Sequence, residues 1–256
     1  MSFITLTTDF GELDYYVPSF KGAIVRTCPS VKLMDISHNI PPFNINIAAY
    51  IVKNSFESFP EKSLHIIRVG EKNHPDQRLL AVTYRGHYFV APDNGVLSMI
   101  FEESPTIVVA INKEMVSNGN IDEYYLRAIK NFVFKGNISE IGYGTTDYVE
   151  KHLFNSTLYQ NKINGVVMHI DNYGNAITNV TKSDFIRVGN GKPFVIYYRI
   201  KEYFDIVLDD YSFVEEGEKV AIFNSKGFLE IAINEGNASE LLGLGLGDTI
   251  QIEFKL

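Results

Sequence analysis

The sequence predicts an α/β amino-terminal domain with a mostly parallel sheet, followed by a smaller all-β carboxy-terminal domain. Three observations carry this. Apolar, β-branched runs alternate with segments of helix-like apolar spacing over residues 1–155. Residues 156–164 are polar enough for a linker, and residues 165–256 hold short strands separated by polar turns.

In chain order, Phe3–Thr7 is a strand that ends in Thr7-Thr8-Asp9-Phe10-Gly11. Asp9 therefore lies at a strand's carboxyl end, the edge where open α/β sheets bind ligands. Tyr15–Thr27 has helical spacing, Val31–Ile36 is a second strand and Phe43–Phe56 a second helix. Leu64–Val69 is a third strand, Leu79–Tyr84 and Tyr88–Val90 form a hairpin, and Thr106–Ile111 is a further strand. Ala91-Pro92-Asp93-Asn94-Gly95 is a turn whose Asp93 or Asn94 can cap a helix over Val96–Phe101, and Tyr124–Phe134 is another helix. Beyond the linker, Pro193–Tyr198, Lys219–Phe223, Phe228–Ile233 and Thr249–Phe254 are the clearest strands of an almost entirely β region.

Composition narrows the function classes. A 256-residue chain with 45% hydrophobic residues can bury a sizeable core, and a net charge of −8 provides no basic footprint for nucleic acid. The single Cys28 excludes an intrachain disulfide and a cysteine-based metal cluster, so no metal is expected. No apolar run is long enough to span a bilayer, and Asp9, Glu12 and Asp14 do not suit a signal peptide; a cytoplasmic protein without a membrane partner is expected.

The most informative stretch is Gly165–Lys182, in which a strand, the elbow Asp171-Asn172-Tyr173-Gly174-Asn175 and a second strand follow one another. Glycine lets backbone approach a ligand closely, while an aromatic ring, a carboxylate and an amide suit a flat heterocycle with polar edges. An ordinary hairpin turn, satisfied by its own Asp and Asn, explains the same residues.

Seven segments in register resolve the choice: TLTTDFG at 5–11, KGAI at 21–24, DISHNI at 35–40, AAY at 48–50, APDNGVLS at 91–98, DNYGNAITN at 171–179 and NSKGFLEIAINEGNA at 224–238. Together they resemble the S-adenosyl-L-methionine (SAM) hydroxide adenosyltransferase family, relatives of fluorinase and chlorinase. The resemblance implies a barrel-like carboxy-terminal domain, a homotrimer holding SAM or adenosine between domains of neighbouring subunits, and no cofactor besides SAM as substrate. It implies that Asp9 holds the ribose hydroxyls, Tyr173 stacks on adenine, Asn175 bonds the adenine edge and Asp171 meets the methionine ammonium. Ser225 matches a contact to the methionine carboxylate, and Lys226 stands where fluorinase has an Arg.

The implied reaction is hydrolysis of SAM to adenosine and methionine, for which family hydrolases use an Asp and an Arg from a segment resembling VVDPGVGxxRR and a His from one resembling TFHGRD. Here the segment after Val69 reads Gly70 through Arg78, and Arg78 matches the Arg if one residue is inserted. Gly70 then stands for the Asp and Tyr125 for the His, and Leu126 provides no halide donor. Activity is expected to be weakened, and a catalytically silent SAM- or adenosine-binding protein is the alternative. Arg78 is the candidate catalytic residue, with His74 and Asp76 as a second set on one face of an extended segment, or as parts of a polar surface loop. Restoring the pair through Gly70→Asp with Tyr125→His is expected to raise adenosine release if the rest of the site is intact.

Overall fold

The computed structural model describes residues 2–72, 77–111, 120–152 and 155–255. The chain divides into two units, Met1–Leu153 and Phe154–Leu256.

The first unit runs β1 (Phe3–Thr8), α1 (Tyr16–Thr27), β2 (Lys32–Ser37), α2 (Ile45–Ser55), β3 (Leu64–Arg68), β4 (Leu79–Tyr84), β5 (His87–Pro92), α3 (Val96–Ile100), β6 (Ile107–Ile111), α4 (Ile121–Lys135) and β7 (Gly142–Gly144). Its sheet has the order β2-β1-β3-β5-β4-β6-β7. The pairs β1/β2, β1/β3 and β3/β5 are parallel, whereas β4/β5, β4/β6 and β6/β7 are antiparallel. The expected mostly parallel sheet is thus a mixed one. The reason is local: Arg85 and Gly86, both at positive φ (45° and 76°), close a two-residue hairpin that reverses the chain.

Period-two alternation distributes the strand side chains over two cores. Ile4, Leu6, Leu64, Ile66, Leu79 and Ala81 meet Phe20 and Ile24 of α1 and Tyr125 and Ile129 of α4. Ile67, Val69, Leu80, Val82 and Phe89 meet Ile47 and Val52 of α2 and Val96 and Ile100 of α3. Helices therefore cover both faces, and the carboxyl ends of β1 and β3 bring the segments after them to one edge. α4 begins earlier than its apolar spacing suggests because the Asn120 side chain accepts from Asp122 N, and it ends at Gly136 in a left-handed conformation.

The second unit runs β8 (Thr157–Leu158), β9 (Lys162–Ile170), β10 (Ala176–Thr181), α5 (Lys182–Gly189), β11 (Phe194–Arg199), β12 (Glu202–Phe204), β13 (Lys219–Phe223), β14 (Phe228–Ile233), α6 (Ala238–Leu242) and β15 (Thr249–Phe254). The sheet order is β12-β11-β15-β9-β10-β14-β13, with β8 on β9, and every pairing is antiparallel. Its two edges are tied together: Lys219 Nζ on β13 donates to Tyr203 O of β12 (3.2 Å), and Leu208 N donates to Ala221 O (2.9 Å). This near-closure leaves little open edge.

Two features depart from the sequence reading. Residues 156–164 are part of the second unit, where Thr157 pairs Asn164 and Leu158 pairs Ile163, because Ile163 is buried while the polar residues around it face outward or turn. The region is also not entirely β. Thr181 and Asn237 cap α5 and α6 by accepting from Asp184 N and Glu240 N, and Thr181-x-x-Asp184 and Asn237-x-x-Glu240 are the sequence signals for those helix starts.

Candidate functional site

In the first unit, Asp9 follows β1 directly. Its Oδ2 accepts from Phe43 N (2.8 Å) and Gly70 N (3.1 Å), and its Oδ1 accepts no hydrogen bond among the described residues. One oxygen is thereby fixed and the other is available to a ligand hydroxyl. Thr8 stiffens the same turn: its Oγ1 lies 2.9 Å from His38 Nδ1 and accepts from Phe10 N. Phe43, with φ of 63° and its ring exposed, owes its unusual backbone to the N–H it turns towards Asp9.

Gly70 also has positive φ (66°), and a Cβ there would meet Asn94 Nδ2 and Ile45 Cγ2 at 3.2 Å. Asn94 Nδ2 donates to Val69 O (3.0 Å), and Asn94 Oδ1 accepts from Val96 N, so the residue read as a helix cap also pins the Gly70 turn. Phe43, Gly70, Arg78, Asp93, Asn94 and Lys151 border a cavity of about 1230 Å³. Arg78 is held there by Asp93, whose Oδ2 accepts from Nε (2.7 Å) and Nη2 (2.5 Å), and by Asp147 Oδ2 (3.3 Å). His74 and Asp76 lie outside the described residues.

Sequence reasoning missed the residue that dominates this corner. Arg68, at the end of β3, is 4% exposed and makes a bidentate fork with Glu71 (Nε to Oε1 3.0 Å, Nη2 to Oε2 2.9 Å) and a third bond to Asp122 (2.7 Å). Its guanidinium carbon lies 5.0, 4.4 and 4.7 Å from the ring centroids of Phe10, Phe20 and Tyr125. Burial opposes the charge, but the hydrogen bonds and charge of Glu71 outweigh it and raise the Arg68 pKa. Tyr125 is fully buried with its hydroxyl 3.3 Å from Ile67 O, and burial, then Glu71, pushes its phenol well above the usual value. A neutral, enclosed phenol cannot take a proton from water. The available signal for Arg68 was a gap-free reading of Ile66-Ile67-Arg68-Val69-Gly70 over VVDPG, which sets glycine on glycine.

In the second unit the elbow is built around Asp171. Oδ1 accepts from Tyr173 N and Asn175 N (both 2.9 Å), and Oδ2 accepts from Asn175 Nδ2 (3.1 Å). The same carboxylate is a turn organiser and a cavity wall. Gly174 (φ 85°) packs so closely on the next loop that a Cβ would come within 2.0 Å of Asn237 Oδ1, and Ser239 N donates to Gly174 O (2.8 Å). Asp171, Tyr173, Asn175, Tyr211, Ile233 and Glu235 line a cavity of about 720 Å³, with the Tyr173 ring 77% exposed.

Ser225 and Lys226 occupy the Asn224–Gly227 turn, where Asn224 Oδ1 accepts from Lys226 N and Phe228 N. That turn is at the opposite end of β14 from residues 234–237, but Asn224 Nδ2 donates to Glu230 Oε2 (3.2 Å), whose other oxygen accepts from the cavity residue Tyr211. Among the described residues no group of three His, Cys, Asp or Glu is placed to hold a metal ion, and no helix is long and apolar enough to cross a membrane.

Residues 4–130 match the family model of the SAM hydroxide adenosyltransferase N-terminal domain, and residues 165–251 that of its C-terminal domain. An (R)-S-adenosyl-L-methionine hydrolase of Methanocaldococcus jannaschii is 30% identical over 272 residues, covering 99% of this chain and 97% of the relative. A fluorinase of Actinoplanes sp. is 23% identical over 288 residues, covering 97% and 96%. The crystal structure of an uncharacterized conserved protein from Thermotoga maritima aligns with a TM-score of 0.83 at 26% identity, over 98% of this chain and 99% of that one.

Proposed function

The chain belongs to the SAM hydroxide adenosyltransferase family, and we propose that it binds SAM and hydrolyses it slowly to adenosine and methionine. The observation that carries this reading is the preorganised Asp171–Asn175 elbow, whose exposed Tyr173 ring and fixed Asn175 amide border a cavity suited to a purine. In this reading the free oxygen of Asp9 accepts from the ribose hydroxyls, Tyr173 stacks on adenine and Asn175 bonds its edge. Asp171 meets the methionine ammonium, Ser225 the carboxylate, and Lys226 gives a point charge where an Arg would give a fork.

Chemically, a water oxygen bonds to C5′ as the C5′–S bond breaks, the bonding pair leaves on methionine sulfur, and the water gives up a proton. Orienting that water is the protein's task. Neither Gly70 nor, in the gap-free reading, Arg68 offers it a carboxylate, Tyr125 is enclosed, and Arg78 is already engaged by Asp93, so turnover is slow. The reaction calls for no cofactor. A second reading, a silent SAM- or adenosine-binding protein, is favoured by the same Gly70 and Tyr125. Assembly as a homotrimer, with the ligand held by neighbouring subunits, is part of the proposal, and light scattering at micromolar concentration tests it.

Calorimetry with SAM, with adenosine followed by chromatography, separates the readings. Heat and slow adenosine release support hydrolysis; heat without adenosine supports the silent binder; no heat with SAM or adenosine overturns both.

A further inference from the structure

Glu230, on β14, is a carboxylate that neither the reaction nor the sequence motifs explain. It is 3% exposed and has no cation partner among the described residues. Its Oε1 accepts from Tyr211 OH (2.5 Å) and its Oε2 from Asn224 Nδ2 (3.2 Å). Burial, then the Glu230 hydrogen bond, pushes the Tyr211 phenol above its usual value, so it keeps its proton at neutral pH.

The direction of these bonds decides what the cavity offers. Tyr211 donates its hydroxyl proton to Glu230 Oε1, so the phenol oxygen has only lone pairs left for the cavity it lines. The same logic fixes Asn175: Nδ2 faces the Asp171 carboxylate, which leaves Oδ1 as the atom without a donor among the described residues. Two acceptors thus border a space with an exposed aromatic ring, Tyr173, and an apolar floor, Ile233.

We propose that Tyr211, oriented by Glu230, is a specificity-determining residue that accepts from the exocyclic amine of a flat heterocycle, so that the site takes 6-aminopurine nucleosides and rejects 6-oxopurines. This deepens the SAM reading and rests on it. An oxo group facing these two oxygens leaves lone pair against lone pair, which a site built to receive a donor rejects strongly. Glu230 is a positioning residue: it acts through the Tyr211 proton.

The test is calorimetry on the full chain with adenosine, inosine, N6,N6-dimethyladenosine and methionine. For the unaltered protein, adenosine binds at least about tenfold more tightly than inosine or the dimethyl analogue, neither of which offers an amine donor. Tyr211→Phe lowers the adenosine-to-inosine ratio severalfold, leaving only the share of Asn175 Oδ1, Glu230→Gln lowers it less, and neither changes methionine binding. The ligand series on the unaltered protein stands even where a variant fails to fold. Equal binding of adenosine and inosine, a folded Tyr211→Phe variant with the full ratio, or a loss confined to methionine overturns the assignment while the SAM reading stands. No binding of adenosine or SAM by the unaltered protein removes both.

Discussion

The elbow at Asp171–Asn175 and the corner at Arg68–Tyr125 solve opposite problems. In the elbow every bond to Asp171 comes from within four residues, so a five-letter motif specifies both conformation and chemistry. In the corner the partners of Arg68 lie on the turn after β3 and the first turn of α4, separated by up to 54 positions, and enclosing aromatics come from two further segments. The elbow is therefore specified locally, whereas the corner depends on residues far apart in the chain.

The largest expected effect breaks the corner. Arg68→Leu leaves the largely buried Glu71 without its cation, removes the bond to the more exposed Asp122, and should cost about 3–5 kcal/mol in urea unfolding. Asp171→Asn, which keeps most of its turn bonds, should cost about 1 kcal/mol by the same measurement. Similar losses at both places would erase the contrast.

Next in size is a pH effect beneath the corner. His65 is buried between Thr5 Oγ1 (2.8 Å) and His87 Nδ1 (3.1 Å), and burial, with His87 second, lowers its pKa from 6.5 to about 3. Between those values the unfolded chain binds a proton that the folded chain refuses. Stability is therefore present above pH 6.5 and lost as pH falls towards 3, by a few kcal/mol. Unfolding midpoints across that window should show this slope, flattened in His65→Gln.

Asp9→Ala should weaken SAM or adenosine binding by about 1.5–3 kcal/mol in calorimetry, with a smaller effect on unfolding. Gly70→Asp should destabilise by about 1–3 kcal/mol, since the new side chain must tolerate positive φ and the 3.2 Å approaches to Asn94 and Ile45. Restoring the carboxylate at Gly70 with Tyr125→His is therefore expected to give no gain in adenosine, contrary to what the aligned motif suggests; chromatography of the double variant decides it.

The strand positions and the elbow were legible because period-two burial and turn chemistry are local. The antiparallel half of the first sheet was less so, although Arg85-Gly86 marked the reversal. Arg68 was read only as a strand residue, because nothing in its neighbourhood announces that Asp122 and three aromatic rings will enclose it. Glu230 was hidden in the same way: LEIAI reads as an apolar strand, and the partner that gives its carboxylate a purpose, Tyr211, is 19 positions away.

The central claim, a retained ligand site with a rebuilt catalytic corner, is tested most directly by turnover and binding measured side by side with the 30%-identical hydrolase. The account predicts that both proteins bind SAM and that this one releases adenosine at least about a hundredfold more slowly, the scale of losing a positioned acid or base. Equal rates, undiminished by Arg78→Ala, would contradict it.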